Sequence, residues 1–224
     1  MKKLIAGVIG LCCAAAPALA EPKLPPFSLA AQGCMKLREC KSNVSRITNI
    51  TQLDNYTNNN YSSDDKQELA TLIKELNNAG VEIYIADTTY FSVNTRGLYY
   101  TDVNRLFLNA GFMPMHATLL KVLRHEGWHA AQDCMAGGIN NTYIAVIHGE
   151  AKVPKDYQLL ADVRYGLLMP RAVPWEMEAM WAANEPQMTA KALAACNASD
   201  MWEIMEPTPK TKAWLQKNGY MKQP

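Results

Sequence analysis

The run Leu119–Cys134, LLKVLRHEGWHAAQDC, constrains this chain more than any other stretch. Inside it stands His125-Glu126-Gly127-Trp128-His129, an H-E-x-x-H sequence. On a helix, residues four apart lie one turn from each other on the same face, so both imidazoles reach a single metal ion. Glu126 sits beside them, where a carboxylate polarises a water that the metal holds. The helical reading follows from phase. At about 100° per residue, Leu119, Val122, Leu123 and Ala130 make one apolar stripe. The two histidines fall at its edge and Glu126 falls inside it, while Lys121, Arg124, Trp128 and Gln132 point elsewhere. A carboxylate inside an apolar stripe is costly without a charged partner, and a bound cation is such a partner.

The chain around this helix has the size and composition of one folded domain. Its 224 residues bury a core of their own, and 49% hydrophobic against 19% charged residues excludes a disordered chain. A net charge of +1 gives no electrostatic footprint for nucleic acid. At the N-terminus, Lys2-Lys3 precede an apolar run from Leu4 to Ala16, and Ala18-Leu19-Ala20 offers a small-residue cleavage site. The run is short for a membrane span. We therefore expect a signal peptide over 1–20, a secreted or periplasmic destination, and no stable membrane insertion after cleavage. A single domain should fill 21–224, with its core at about 65–195.

Cysteine usage agrees with export. Cys34, Cys40, Cys134 and Cys196 lie beyond the leader, an even number that predicts two disulfides in an oxidising compartment. Cys34 and Cys40 are too far apart to bond if their stretch is one regular helix. The expected bridges therefore tie the N-terminal segment and Cys196 to the core, through Cys134. No C-x-x-C pair exists to hold a metal instead.

Along the chain, Leu29–Val44 has helical spacing and Asn49–Ser63 reads as loop. Ser63-Asp64-Asp65 opens a helix with apolar positions Leu69, Leu72, Ile73 and Leu76, closed by Gly80. Val81–Ala86 alternates like a strand. Tyr90–Val93 and Leu98–Tyr100 flank Asn94-Thr95-Arg96-Gly97, which predicts a hairpin or a turn between strands, and Leu106–Leu108 is a further strand. Beyond Cys134, Gly137-Gly138 breaks the metal helix. Val153–Tyr165 reads as a short helix, Pro174 starts another to about Asn184, and Pro186 opens a third.

Two histidines need a third protein ligand. The best candidate is in Trp175-Glu176-Met177-Glu178-Ala179-Met180. Glu176 shares a helical face with Ala179, Met180 and Ala183, whereas Glu178 points about 160° away. Only one of the two should face the metal. Glu178 is the alternative, and His148 is a weaker third candidate.

His125–His129 followed downstream by a helix reading E-x-E-A-x-x-x-A resembles the gluzincin clan of zinc metallopeptidases, over roughly residues 80–185. The resemblance implies an α+β, zincin-like fold: a small mixed or antiparallel sheet packed on the H-E-x-x-H helix and on a following glutamate-bearing helix, with further helices at both ends. It also implies Zn²⁺ held by His125, His129 and Glu176, with Glu126 as the catalytic base. Relatives often carry Asp four residues after the ligand glutamate, where this chain has Met180. Orientation of His129 must then come from elsewhere, and Asp133, one turn on, is the candidate to hold its ring. Tyr143, Tyr157, Tyr165, Arg164 and Arg171 lie between the two metal segments, where one could donate to an oxyanion, although an ordinary structural role is the stronger reading for each. His116 lies about 180° around the helix from the ligand pair and reads as structural. The expected function is zinc-dependent hydrolysis of a peptide or protein substrate. The alternatives are a zinc hydrolase of a non-protein amide, such as cell-wall peptide, and a non-catalytic secreted module held by disulfides.

Overall fold

A computed structural model of the chain describes residues 29–222, apart from 41, 59 and 60. The expected signal peptide lies outside the described residues. Eight helices and four strands follow one another in the order α1 (Leu29–Leu37), β1 (Val44–Ile47), α2 (Ser63–Asn78), β2 (Glu82–Ala86), β3 (Gly97–Tyr100), β4 (Arg105–Asn109), α3 (His116–Met135), α4 (Lys155–Tyr165), α5 (Val173–Ala182), α6 (Met188–Asn197), α7 (Met201–Ile204) and α8 (Pro209–Lys217). The class is α+β, as expected. Among the described residues, no helix is long and apolar enough to cross a membrane.

The sheet is mixed, in the order β1-β2-β4-β3. β1 runs antiparallel to β2, β2 parallel to β4, and β3 antiparallel to β4. Period-two alternation sorts its side chains. Ile83, Ile85, Leu106 and Leu108 enter the main core with Leu69, Leu72, Ile73 and Leu76 of α2 and with α3. Tyr84 and Phe107 face the other way, where they stack at 5.1 Å and join Met35 and Phe91 in a second cluster. α2 begins where its cap dictates: the Ser62 side chain accepts from the Asp65 N–H at 3.1 Å.

Two local expectations fail for backbone reasons. Tyr90–Val93 is not a strand. Asp87 caps a short 3₁₀ turn over Thr88–Tyr90 by accepting from the Thr89 N–H at 2.9 Å. The hairpin forms instead between β3 and β4, with Asn104 in the left-handed region at φ 51°. The Leu29–Val44 segment is also not one helix. α1 stops at Leu37, Arg38 takes φ 61°, and the chain folds back. That reversal brings Cys34 and Cys40 to a Cα separation of 4.9 Å, and they form a disulfide. The expectation of a bridge from the N-terminal segment to the core is therefore wrong. The second disulfide, Cys134–Cys196, does tie α3 to α6 across 62 residues of sequence, a closure worth about 4 kcal/mol on chain-entropy grounds. Two disulfides fit an extracellular or otherwise oxidising location.

α3 is the axis of the molecule. It was expected to be amphipathic, yet it is buried on nearly every side from Leu119 to Met135, including Arg124, Trp128 and Gln132. Such burial requires each polar group to be paired. Arg124 donates to both carboxylate oxygens of Glu68 on α2, at 2.8 and 2.6 Å. The same Glu68 accepts from the Gln187 N–H ahead of α6, and Thr189 of α6 donates to the Arg124 carbonyl. Gly127 lets α6 come close: a Cβ there would stand 3.0 Å from the Thr189 methyl.

Candidate metal centre

α3 and α5 cross so that three potential ligands converge. Nε2 of His125 lies 3.4 Å from Oε2 of Glu176, and Nε2 of His129 lies 3.7 Å from Oε1. One ligand atom from each of His125, His129 and Glu176 lies within 4.8 Å of the other two, and such a group can hold a metal ion. The local sequence explains the crossing. Pro174 stands in the first turn of α5 and Glu176 follows within that turn, where a carboxylate is favoured by the helix dipole. Ala179 and Ala182, both fully buried, keep α5 thin where it meets α3.

The donor set fits a cation. Oε2 of Glu176 is buried and has no hydrogen-bond partner, despite its proximity to His125. A buried carboxylate oxygen left open is costly unless something positive takes it. The side chains of His125, His129 and Glu176 are 21%, 12% and 17% exposed, so the open corner of the group reaches solvent. Burial and the neighbouring His125 push the His129 pKa down to about 4, which keeps its imidazole neutral, as a ligand requires. Burial also opposes charge on His125. Glu176 and Glu126 outweigh it and hold the His125 pKa above its usual value.

Glu126 lies on the side of the group facing β3. Burial, reinforced by the charge of Glu176, raises its pKa to about 7. The backbone of Tyr99 in β3 faces its carboxylate and offsets part of that rise. Gly97 at the start of β3 is required by this approach. A Cβ there would stand 2.6 Å from Val122 and 2.9 Å from Cγ of Glu126. Of the five suggested oxyanion donors, Tyr165 at the end of α4 is the one brought to the group. Burial and the negative charge of Glu176, which its hydroxyl hydrogen-bonds, hold its pKa well above the ordinary phenol value.

Glu178, the alternative ligand, is turned away and fully buried. It accepts from Nε2 of Gln132 at 2.8 Å, from Nε1 of Trp128 at 3.4 Å, and from the backbone N–H groups of Ile147, His148 and Gly149. It is a clamp on the 147–149 segment. His148 is held there between Trp128 and Trp181, with ring centroids at 5.6 and 5.4 Å, and is not part of the ligand group. His116 packs edge-on against Tyr61.

Asp133 does not orient His129. Its Oδ2 accepts from the Tyr99 hydroxyl at 2.9 Å, and burial raises its pKa to about 7. The partner of His129 is Gln132, whose Oε1 lies 2.9 Å from Nδ1. Because Nε2 of Gln132 donates to Glu178 and to the Trp175 carbonyl, its amide orientation is determined, and its Oε1 must accept from an Nδ1–H. Nε2 of His129 is thereby left with a free lone pair facing Glu176. Sequence spacing held a signal for this residue, since Gln132 is three positions from His129. Its second partner, Glu178, could not be foreseen from spacing.

A cavity of about 1240 Å³ lies on the other side of α5, between the 143–150 segment, α4 and α8, and the three ligands do not line it. Compared with family models, with curated proteins and with solved structures, the chain matches none.

Proposed function

We propose that the chain is an exported zinc-dependent hydrolase of gluzincin type that cleaves peptide bonds. The observation that carries this reading is the convergence of His125, His129 and Glu176 beside the Glu126 carboxylate, with one Glu176 oxygen buried, accepting no hydrogen bond and 3.4 Å from Nε2 of His125. Zinc bound to this set would supply the Lewis acidity that polarises a carbonyl and makes a water nucleophilic at neutral pH. Glu126 takes the proton from the attacking water and passes it to the leaving amine. Tyr165 stays protonated across the working pH range and donates to the oxygen that gains charge at the scissile carbonyl. Gln132 fixes the tautomer and tilt of His129.

The sheet supports a peptide as the substrate. β3 is an edge strand, and it borders Glu126 through Gly97 and Tyr99. An extended peptide added along that edge would pass its backbone next to the general base. Glu126→Gln preserves shape and removes the base. We expect it to retain metal and to lose roughly 10²- to 10⁴-fold in turnover of a peptide library. Turnover equal to the wild type in a metal-loaded Glu126→Gln protein would overturn the mechanism.

A further inference from the structure

The outer face of the α4–α5 hairpin contradicts the rule that places large apolar side chains inside. Val163 on α4 is exposed, as is Leu159, which lines the cavity between α4 and the 143–150 segment. Past the helix end, Leu167, Leu168 and Met169 are 92%, 82% and 53% exposed. Scattered apolar residues on a surface are ordinary, but a contiguous protruding cluster marks an interaction site. The segment reads Arg164-Tyr165-Gly166-Leu167-Leu168-Met169-Pro170-Arg171, with an exposed arginine at each end and no carboxylate within it. Asp162, one turn back from Gly166, sets its carboxylate against that glycine, where a Cβ would stand 2.6 Å from its Oδ1.

We propose that this tip docks reversibly on the surface of an anionic lipid bilayer. Leu167, Leu168 and Met169 enter the region beneath the headgroups, while Arg164 and Arg171 extend to the phosphates. Two features favour a lipid surface over a second copy of the chain. Exposure as high as that of Leu167 belongs to a protruding knob, whereas a stable dimer needs a broad complementary face. A two-fold contact through the tip would also bring its arginines close to those of the other copy, and on each tip the two arginines outnumber Asp162, the acid set against Gly166. Docking there would hold the metal centre near the membrane, because Tyr165, within the same segment, reaches Glu176. The inference stands on the tip alone and holds whether or not the centre turns over a substrate.

The test is flotation of the full chain with vesicles of phosphatidylcholine, alone or with phosphatidylglycerol, in buffer containing a metal chelator. Two variants are compared with the wild type, so that any contribution from the N-terminal apolar run is common to all. Leu167→Asp/Leu168→Asp should lower partitioning at least about tenfold on both vesicle types, given the burial worth of two leucines. Arg164→Gln/Arg171→Gln should lower it roughly tenfold on the anionic vesicles only, and added salt should erase that difference. Unchanged thermal unfolding shows that each variant has kept its fold. If the aspartate variant does not fold, the arginine variant decides. Equal partitioning of the wild type and the variants, or no binding by any of them, overturns the proposal. So does a concentration-dependent dimer, formed without vesicles and abolished by the aspartate variant.

Discussion

The two faces of α5 carry glutamates two residues apart that live in opposite conditions. Glu178 faces inward, fully buried, and five donors satisfy it. Glu176 faces the histidines, and one of its oxygens has no hydrogen-bond partner. A carboxylate that the protein saturates is structural, because nothing is left for a ligand to do. A carboxylate left open beside two imidazoles could hold a metal ion, which would take the oxygen that accepts no hydrogen bond. Helical phase places the two residues on different faces, and it is the donors around each face that assign their roles.

The sharpest way to break that contrast is to remove each carboxylate in turn. Glu178→Ala strands five donors, three of them buried and two half-buried, including three backbone N–H groups. We expect it to destabilise the fold by roughly 3–5 kcal/mol, read as a fall in the chemical-denaturation midpoint. Glu176→Ala should leave the stability of metal-free protein within about 1 kcal/mol of wild type, because the group it removes is already incompletely paired. Comparable losses in both variants would contradict the division of labour. A smaller effect is expected at the residue that links the faces. Gln132→Ala removes the partner of His129 and one donor to Glu178. Metal affinity should fall about 10- to 100-fold by titration, with a stability loss smaller than that of Glu178→Ala. Unchanged metal affinity would show that Gln132 does not orient His129.

The same contrast shows what a sequence can and cannot convey. His125 and His129 were legible because one helix carries both, and helical geometry is local. Glu176 was legible by phase, since small residues share its face. The role of Glu178 was not, because its partners lie on α3 and on the 147–149 segment, and only the tertiary arrangement brings them together. Asp133 was placed wrongly for a similar reason. One turn from His129 put it within reach, but Tyr99 of β3 takes its carboxylate. β1 went unseen because only Ile47 of its four residues is buried, so no alternation marks it. The Cys34–Cys40 bridge required knowing that Arg38 would take a left-handed conformation. The burial of α3 on all sides was also hidden, since Arg124 and Gln132 read as surface residues until Glu68 and Glu178 are seen to pair with them.

The account rests on one ion being held by His125, His129 and Glu176, and elemental analysis with zinc titration tests that most directly. Purified wild-type protein should carry about one zinc per chain after dialysis against metal-free buffer, and folded Glu176→Ala should retain little or none. A wild-type protein that binds no zinc, or a Glu176→Ala protein that binds it as tightly as wild type, would contradict the account.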